Sequence, residues 1–320
     1  MKEIMQNMAK KVKPLVATMI MLVLLILLFA LNSENFLSLQ NALNVLDQTA
    51  AMMILAIGLT FVLIGGNFDV SGGSCIALTG MICAKMLVWG VPVVLTIIAG
   101  ILCGGLIGLF NGLCVAKLKL SSFILTLTTS IMAEGIAFAI SGGQTIYGLP
   151  DSFCFWGSGR VAGIPVPIIL VLVLFVVFHL LLSRTVFGHQ VYALGENEEA
   201  ALLSGIQVDW VTVGTFVIAG CLYGVAAISL TGRLSAAVST NGLDMEMTAL
   251  SGLAIGGISM AGGRGNLIGA FLGCLIIGVL TNGLNMLNLS PYYAEFIRGL
   301  VIFLALVLEG IREILSKKGK

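Results

Sequence analysis

Long apolar runs recur along this chain, and they constrain its fold more strongly than any other feature of the sequence. Apolar residues make up 58% of the 320 positions, whereas charged residues make up only 10%. A water-soluble core of ordinary proportions cannot bury so much apolar surface. The runs are about 17 to 25 residues long, which is the length that a helix needs to cross the roughly 30 Å hydrocarbon core of a bilayer. The sequence therefore predicts a membrane protein.

The spanning elements are predicted to be helices. Inside a bilayer the backbone must be hydrogen-bonded internally, which only helices and closed barrels achieve. A barrel shows short segments of alternating polarity, and no such alternation is visible in the sequence. We therefore expect an all-α fold, a polytopic transmembrane helical bundle of about ten spans. The spans are expected near residues 15–31, 49–65, 74–90, 92–116, 121–141, 166–183, 211–231, 246–261, 267–287 and 294–310.

The basic residues predict the orientation of this bundle. Lysines cluster before the first span and after the last one, so both termini are expected in the cytoplasm. With ten spans, twelve basic residues fall on the cytoplasmic side and four on the outer side. The twelve are Lys2, Lys10, Lys11, Lys13, Lys117, Lys119, Arg184, Arg264, Arg312, Lys317, Lys318 and Lys320, and the four are Lys85, Arg160, Arg233 and Arg298. The expected divisions are a cytoplasmic N-terminal segment (1–14), a transmembrane domain (15–310) with a cytoplasmic loop at 184–210, and a cytoplasmic C-terminal tail (311–320).

Sequence motifs of enzymes and of nucleotide binding are not found. The zinc-protease, nucleophile-elbow and phosphate-loop patterns are missing, and with only two histidines a metal site of His and Cys is not expected. The net charge of +1, with basic residues at the membrane borders, leaves no basic face for nucleic acid. If this protein moves a solute with ATP, another chain must therefore carry the ATPase.

Glycines are spaced to let helices approach closely. A ridge of small residues at four-residue spacing runs from Gly100 to Gly112, and a second runs from Gly265 to Gly273. Such ridges allow close helix packing. They fit either static packing or a pair of helices that slide during gating.

Two glycine-rich breaks in the apolar pattern resemble each other. The segments I-G-G-N-F-D-V-S-G-G at 64–73 and I-G-G-I-S-M-A-G-G at 255–263 each follow an apolar run, and N-G-L follows each one later, at 111–113 and 282–284. This suggests two halves of common design, as in many transporters.

Several polar residues in the apolar pattern are candidates for a translocation path or a gate. Asp69 lies in the first break with Asn67 and Ser71, and its carboxylate or the Ser71 hydroxyl either caps the helix that begins near Ser74 or takes part in gating and substrate contact. The remaining candidates are Asn111, Thr126, Thr128, Glu134, Gln144, Asn282 and Asn285. The threonines either bond to their own helix or line a polar path with Glu134. The amides suit sugar hydroxyls and equally suit bridges between helices.

A short charged segment, A-L-G-E-N-E-E-A-A-L-L-S-G-I at 193–206, lies between two apolar runs. We predict that Gly195 ends the preceding structure, that Asn197 caps a helix whose first turn carries Glu198 and Glu199, and that Ser204-Gly205 ends it. The helix would have about two turns and a length of roughly 10 Å. Its apolar residues need a surface to pack on, which is either the protein's own membrane surface or a groove of another protein.

The same segment closely resembles the cytoplasmic coupling segment of ribose-type permeases, the membrane subunits of ATP-binding-cassette importers for monosaccharides, which commonly read Y-A-L-G-G-N-E-x-A-A-R-L-S-G-I. G-G-N-F-D-V-S-G-G-S at 65–74 is similar to the family's T-G-G-I-D-L-S-V-G-S. I-G-G-I-S-M-A-G-G-R-G at 255–265, continuing to T-N-G-L-N-M-L at 281–287, is similar to its L-G-G-x-S-L-A-G-G-x-G and N-N-G-L-N-L-L. The three ordered blocks extend the resemblance over nearly the whole chain from about residue 40. Glu134 departs from the pattern, because many relatives have arginine there.

The resemblance implies a ten-helix permease domain in the bacterial inner membrane, paired with a second permease subunit that is identical or closely related. It implies a nucleotide-binding ATPase that uses ATP and Mg on the cytoplasmic side, and a soluble sugar-binding protein outside. This chain itself would bind no cofactor and would not be an enzyme. The residues that it assigns to coupling with the ATPase are Gly195, Glu196, Asn197, Glu198, Glu199, Ala200, Ala201, Ser204 and Gly205.

The residues alone also fit a second function, that of a secondary transporter. Asp69 and Glu134 near broken helices also fit the ion or proton sites of a secondary transporter, which would carry a small polar solute without an ATPase.

Overall fold

The computed structural model describes residues 14–290, 292–297, 299–301, 303 and 307. Its helices are α1 (Pro14–Asn32), α2 (Leu39–Ile64), α3 (Gly72–Val88), α4 (Val93–Leu118), α5 (Ser122–Ser141), α6 (Asp151–Ser158), α7 (Val166–Arg184), α8 (Val186–Glu196), α9 (Glu198–Leu203), α10 (Val208–Leu234), α11 (Met245–Ile255) and α12 (Leu267–Met286). A two-stranded antiparallel hairpin, β1 (Arg160–Val161) and β2 (Ile164–Pro165), precedes α7. Residues 292–297 and 299–301 are also helical.

The predicted helical membrane architecture is confirmed in its coarse form. Within the described residues, seven helices are long and apolar enough to cross a membrane, namely α1, α2, α4, α5, α7, α10 and α12. Two shorter apolar helices, α3 and α11, coincide with two further predicted spans. The predicted segments 1–14 and 311–320 lie outside the described residues, apart from residue 14, and so does about half of the last predicted span.

Several predicted boundaries are wrong for identifiable reasons. α2 begins at Leu39 instead of near residue 49, because the polar residues of its first turns extend the helix beyond the apolar run and Ser38 caps it by accepting from the Asn41 N–H. α11 ends at Ile255 instead of near residue 261, because Gly257 (φ 79°) reverses the chain. The short helices α6 and α8 and the hairpin are too short to produce an apolar run, so they were not predicted.

The two glycine-rich breaks share one backbone geometry. The N–H of Asn67 donates to the Val62 carbonyl, and the N–H of Ile258 donates to the Leu253 carbonyl, both at 3.0 Å. Gly66 and Gly257 occupy the same left-handed position before these residues, with φ of 80° and 79°. This is the turn that commonly ends a helix on glycine. The predicted correspondence between the breaks therefore extends to the local structure.

Helix α10 lies in the middle of the bundle, where it packs against α2, α3, α4 and α6. Its closest neighbour is α4, because the predicted ridge of glycines faces it. A Cβ atom at Gly104 would overlap the Gly220 carbonyl oxygen, and one at Gly108 would overlap the Phe216 carbonyl oxygen. The second ridge brings α12 equally close to α11, where Gly273 faces the Gly252 carbonyl. Both ridges are therefore sites of direct backbone contact, as predicted.

We expect Gly104→Ala to destabilise the protein by about 1–3 kcal/mol, because the added methyl group forces α4 and α10 apart. Thermal unfolding in detergent would measure the effect. Gly135→Ala on α5 is the matched control, since no atom of the described residues lies within 4 Å of a Cβ at that position. Equal unfolding temperatures for the two variants would contradict close packing of α4 on α10.

Candidate functional site

Helix α9 occupies the centre of the predicted coupling segment. Asn197 caps it by accepting from the Ala200 N–H at 2.9 Å, and Ser204 followed by Gly205 (φ 82°) ends it, as predicted. The helix has six residues, in agreement with the predicted length of about two turns. The prediction that Gly195 ends the preceding structure is wrong, because α8 continues to Glu196 and Asn197 serves as both its C-cap and the N-cap of α9.

The apolar residues of α9 face in two directions. Ala201 is only 3% exposed and packs onto the protein's own core, so its side chain is not available to a partner. Leu202 and Leu203 are 63% and 89% exposed. Glu199 and Ala200 are also exposed. One face of the segment thus packs on the bundle, and the other presents leucines beside carboxylates.

Ion pairs hold α9 against the neighbouring helix ends. Lys119, in the turn between α4 and α5, lies 3.3 Å from Glu198 and 3.3 Å from Asp209 at the start of α10. Lys117 lies 2.7 Å from Asp209. Partial desolvation lowers the pKa of Lys119, but the hydrogen bonds to Asp209 and Glu198 outweigh it, so the pKa is raised overall. Because these side chains are largely exposed, each pair contributes at most about 1 kcal/mol and orients the segment more than it stabilises it.

Backbone contacts join α8 to two other parts of the bundle at a glycine junction, formed by Gly66, Gly195, Gly262 and Gly263. A Cβ atom at Gly195 would overlap the Ile64 carbonyl oxygen at the end of α2 and lie 2.6 Å from the Gly263 nitrogen. The Gly263 N–H donates to that same Ile64 carbonyl at 2.9 Å.

The hydroxyl of Tyr192, on α8, adds a hydrogen bond to this junction by donating to the Gly265 carbonyl at 2.8 Å. With no side chains between these backbones, and with protein interiors close-packed, displacement of α8 must move the end of α2 and the 256–266 loop.

Asp69 belongs to a buried polar network at the first break. One carboxylate oxygen accepts from the Ser71 N–H at 2.9 Å and from its hydroxyl at 2.6 Å, and the other accepts from the Tyr223 hydroxyl at 3.0 Å. Asn111 donates to the Ser71 hydroxyl at 3.0 Å and accepts from Thr129 at 2.7 Å. All five residues are at least 93% buried. Neither the Asp69 nor the Ser71 side chain caps α3, so the interpretation of these residues as a helix cap is wrong. The Asp69 carboxylate instead connects the break to α10 through its hydrogen bond with Tyr223.

Hydroxyl groups on α5 satisfy the backbone of the same break. Ser122 accepts from the Phe68 N–H, and Thr126 accepts from the Val70 N–H, both at 3.1 Å. A break within an apolar bundle has no water to bind its free N–H groups, so these side chains take that role. The sequence allowed two roles for the Thr126 hydroxyl, a hydrogen bond to its own helix or a place along a polar path. The structure adds a third role, because this hydroxyl bonds to the Ser122 carbonyl of α5 and also bridges α5 to the break. Thr128 is exposed, and its hydroxyl donates to the Ile124 carbonyl of its own helix.

The other predicted path residues are dispersed. Asn282 accepts from Asn41 at 3.1 Å and so bridges α12 to α2. Asn285 and Gln144 are exposed, and Glu134 is partly exposed on α5. Asn67 is partly buried, and its side-chain amide donates to the nearby Gly65 carbonyl at 3.4 Å. The structure therefore gathers Asp69, Ser71, Asn111 and Thr126 near one break and leaves the others apart from it.

Sequence reasoning missed Tyr223, Asn41 and Tyr192. Each makes a hydrogen bond between distant elements. A tyrosine in an apolar helix is the one available signal, because a buried phenol requires a partner for its hydroxyl. The sequence did not identify that partner, since Tyr223 and Asp69 are 154 positions apart.

We expect Tyr223→Phe to lower the free energy of unfolding by about 1–3 kcal/mol, because one oxygen of the buried Asp69 carboxyl group loses the Tyr223 hydroxyl as its hydrogen-bond donor. Thermal unfolding in detergent would detect the change. Tyr147→Phe is the matched control, because the Tyr147 side chain is 71% exposed. If the two variants unfold at the same temperature, the network does not brace the break.

Comparison with known proteins identifies the family. The family model described as "Branched-chain amino acid transport system / permease component" matches residues 41–306. A ribose import permease protein of Bacillus subtilis is 40% identical over 290 residues, which cover 90% of each chain. The corresponding protein of Haemophilus influenzae is 40% identical over 294 residues, 91% of each chain, and a D-allose transport system permease protein of Escherichia coli is 35% identical over 91% of this chain and 90% of its own. No solved structure matches the chain.

These findings confirm the resemblance carried by the three sequence blocks and give no support to the ion-coupled alternative. With its apolar helices, the chain is a multi-pass membrane protein, and it belongs to the family of permease components that includes the sugar permeases of ATP-binding-cassette importers.

Proposed function

We propose that this chain is the membrane-spanning subunit of an importer that carries a monosaccharide or a similar small polyol across the bacterial inner membrane. The observation that carries the proposal is the 40% identity to ribose import permeases over nine-tenths of the chain. The family model is named for branched-chain amino acids, but the similar proteins are named for ribose, allose and arabinose. The sugar itself is not specified by these relatives, since they differ in substrate.

The coupling end of the molecule is proposed to face the cytoplasm. Lys117 and Lys119 lie at this end beside α9, Arg184 ends α7 just before α8, and Arg264 is in the loop at the glycine junction. Basic residues favour the cytoplasmic side of a bilayer. We infer ten spans, made of the seven long helices, α3, α11 and the C-terminal helical residues, with both termini on the cytoplasmic side.

The ATPase is proposed to dock on the exposed face of α9. Leu203 and Leu202 offer apolar contacts, and Glu199 and Glu196 provide charge, which together suit a protein groove better than a lipid surface. Gly195 and Ala201, both assigned to coupling by the family resemblance, instead connect the segment to the bundle. The partner ATPase would bind ATP and Mg, because this sequence has no phosphate loop. A second permease subunit and an extracytoplasmic sugar-binding protein complete the assembly.

The glycine junction supplies a physical route for coupling. When the ATPase moves α9, α8 moves with it because the two helices share Asn197 as a cap. The junction then transmits the displacement to the end of α2 and to the loop that follows α11. Coupling of this type biases the bundle between inward-open and outward-open states.

The proposed function is tested by reconstituting the chain with its ATPase and binding protein in liposomes. We expect ATP-dependent uptake of D-ribose, D-allose or L-arabinose, and no uptake when the ATPase is omitted. Uptake that proceeds without the ATPase and follows an ion gradient would overturn the proposal.

We expect the double variant Glu199→Arg, Leu203→Glu to lose the ATPase, because it reverses a charge and places a carboxylate at the centre of the exposed leucine face. Co-purification in mild detergent would measure ATPase retention, and we expect a loss of about tenfold or more because residues near the centre of an interface carry most of the binding energy. Tyr147→Glu is the control, since Tyr147 is 71% exposed near the opposite end of the bundle. Full ATPase retention by a well-folded double variant would exclude α9 as the docking site.

A further inference from the structure

A cavity of ≈ 640 Å³ opens at the end of the molecule opposite the coupling segment. It lies between the first half of α2, the end of α10, the start of α11 and the second half of α12. The coupling segment, by contrast, contacts the end of α2 and the loop after α11. The cavity and the coupling segment therefore lie at opposite ends of the same two helices.

The cavity lining combines hydrogen-bonding groups with apolar side chains. Gln48, Thr248 and Thr281 provide an amide and two hydroxyls. Met52 and Ile277 provide apolar surface. Hydroxyls of a sugar both donate and accept hydrogen bonds, while the C–H faces of its ring favour apolar contact. The volume is within the range of small-molecule sites, about 300–1,000 Å³.

The charges around the cavity favour a neutral ligand. Arg233 is the basic side chain among the described lining residues, and its Nε lies 3.4 Å from Asp47 while an Nη donates to the Gln48 carbonyl at 3.4 Å. Its charge is thus already directed at a carboxylate. Asp244 also lines the cavity. An anionic solute such as a sugar phosphate would therefore meet, among the described lining residues, one basic side chain that is already paired with Asp47 and the further carboxylate of Asp244.

We infer that this cavity is the site where the permease receives its solute from outside, and that the solute is a neutral polyol. This inference rests on the proposed importer function and extends it by naming the contacting residues. None of the path residues predicted from the sequence lines the cavity. Their polar groups serve contacts between or within helices, or are exposed, whereas the cavity is lined by side chains from four helices and from the helical residues 292–297, which meet only in the folded chain.

The helices that border the cavity also connect it to the ATPase side. α11 begins at the cavity with Met245 and ends at Ile255, just before the loop that reaches the glycine junction. α2 runs from Gln48 at the cavity to Ile64 at the same junction. Movement of the coupling segment therefore acts on both helices at the end away from the solute.

The test is a cysteine introduced at Thr248 in the assembled importer. Thr248→Cys changes the size of the side chain little, so we expect the complex to fold normally. The cavity is altered only afterwards, when a reagent modifies the cysteine. The negatively charged, membrane-impermeant reagent sulfonatoethyl methanethiosulfonate is then added from outside, and modification is measured by mass spectrometry. Met247→Cys is the matched control, because Met247 is the adjacent residue, is 43% exposed and does not line the cavity. The unsubstituted chain controls for its native cysteines.

We expect modification of Thr248→Cys to lower ATP-dependent D-ribose, D-allose or L-arabinose uptake by about tenfold or more, since a bulky group narrows the entry path. ATP hydrolysis stimulated by the binding protein should persist, and the modified control should transport normally. Normal uptake after complete modification, or no modification from outside, would overturn the cavity assignment alone.

Two further outcomes are also decisive. Loss of ATP hydrolysis together with uptake would assign Thr248 to the conformational change and overturn its role as a solute contact. No uptake of any of the three sugars by the unmodified importer would overturn the proposed function and the cavity assignment with it.

Discussion

The architecture depends on satisfying backbone hydrogen bonds where helices are interrupted inside an apolar bundle. The first break leaves the N–H groups of Phe68 and Val70 outside any helix, and hydroxyls on α5 accept from both. The Asp69 carboxyl group fixes the turn and reaches α10 through Tyr223. In a water-free environment each such group would otherwise cost several kcal/mol. The break is therefore a rigid joint, built by side chains from four elements, and it keeps α3 in register with α4, α5 and α10.

Glycine has a different role at the cytoplasmic end that we propose for the molecule. At the glycine junction, Gly66, Gly195 and Gly262 bring three backbones into contact, with no side chain able to absorb displacement. Close contact of this type makes the coupling segment, α2 and the loop after α11 move together. The glycine junction shares Gly66 with the first break, so the braced break and the close backbone contacts meet at the end of α2.

The sequence was informative wherever a local rule governed the structure. The N-cap at Asn197 and the stop at Gly205 follow from side-chain chemistry within a few residues. The glycine ridges predicted close helix contacts, but not which helices meet, since Gly104 faces Gly220 across more than 100 positions. The candidate site was only partly predictable for the same reason. Asp69 was singled out by its cost in an apolar setting, whereas its partner Tyr223 follows only from the packing of α10.

By itself, the sequence determined that this chain crosses a membrane as helices and where most of those helices lie. It also identified the charged segment at 193–206, which lies outside the apolar runs. Both results follow because hydropathy and capping are local properties of the chain. Its three motif blocks also indicated the permease family. Only the tertiary structure decided that the two glycine-rich breaks have different partners, that Ala201 faces inward, and that a polar cavity forms at the other end of α2. These depend on distant residues that meet when helices pack, and a single sequence does not encode those distances in any local pattern.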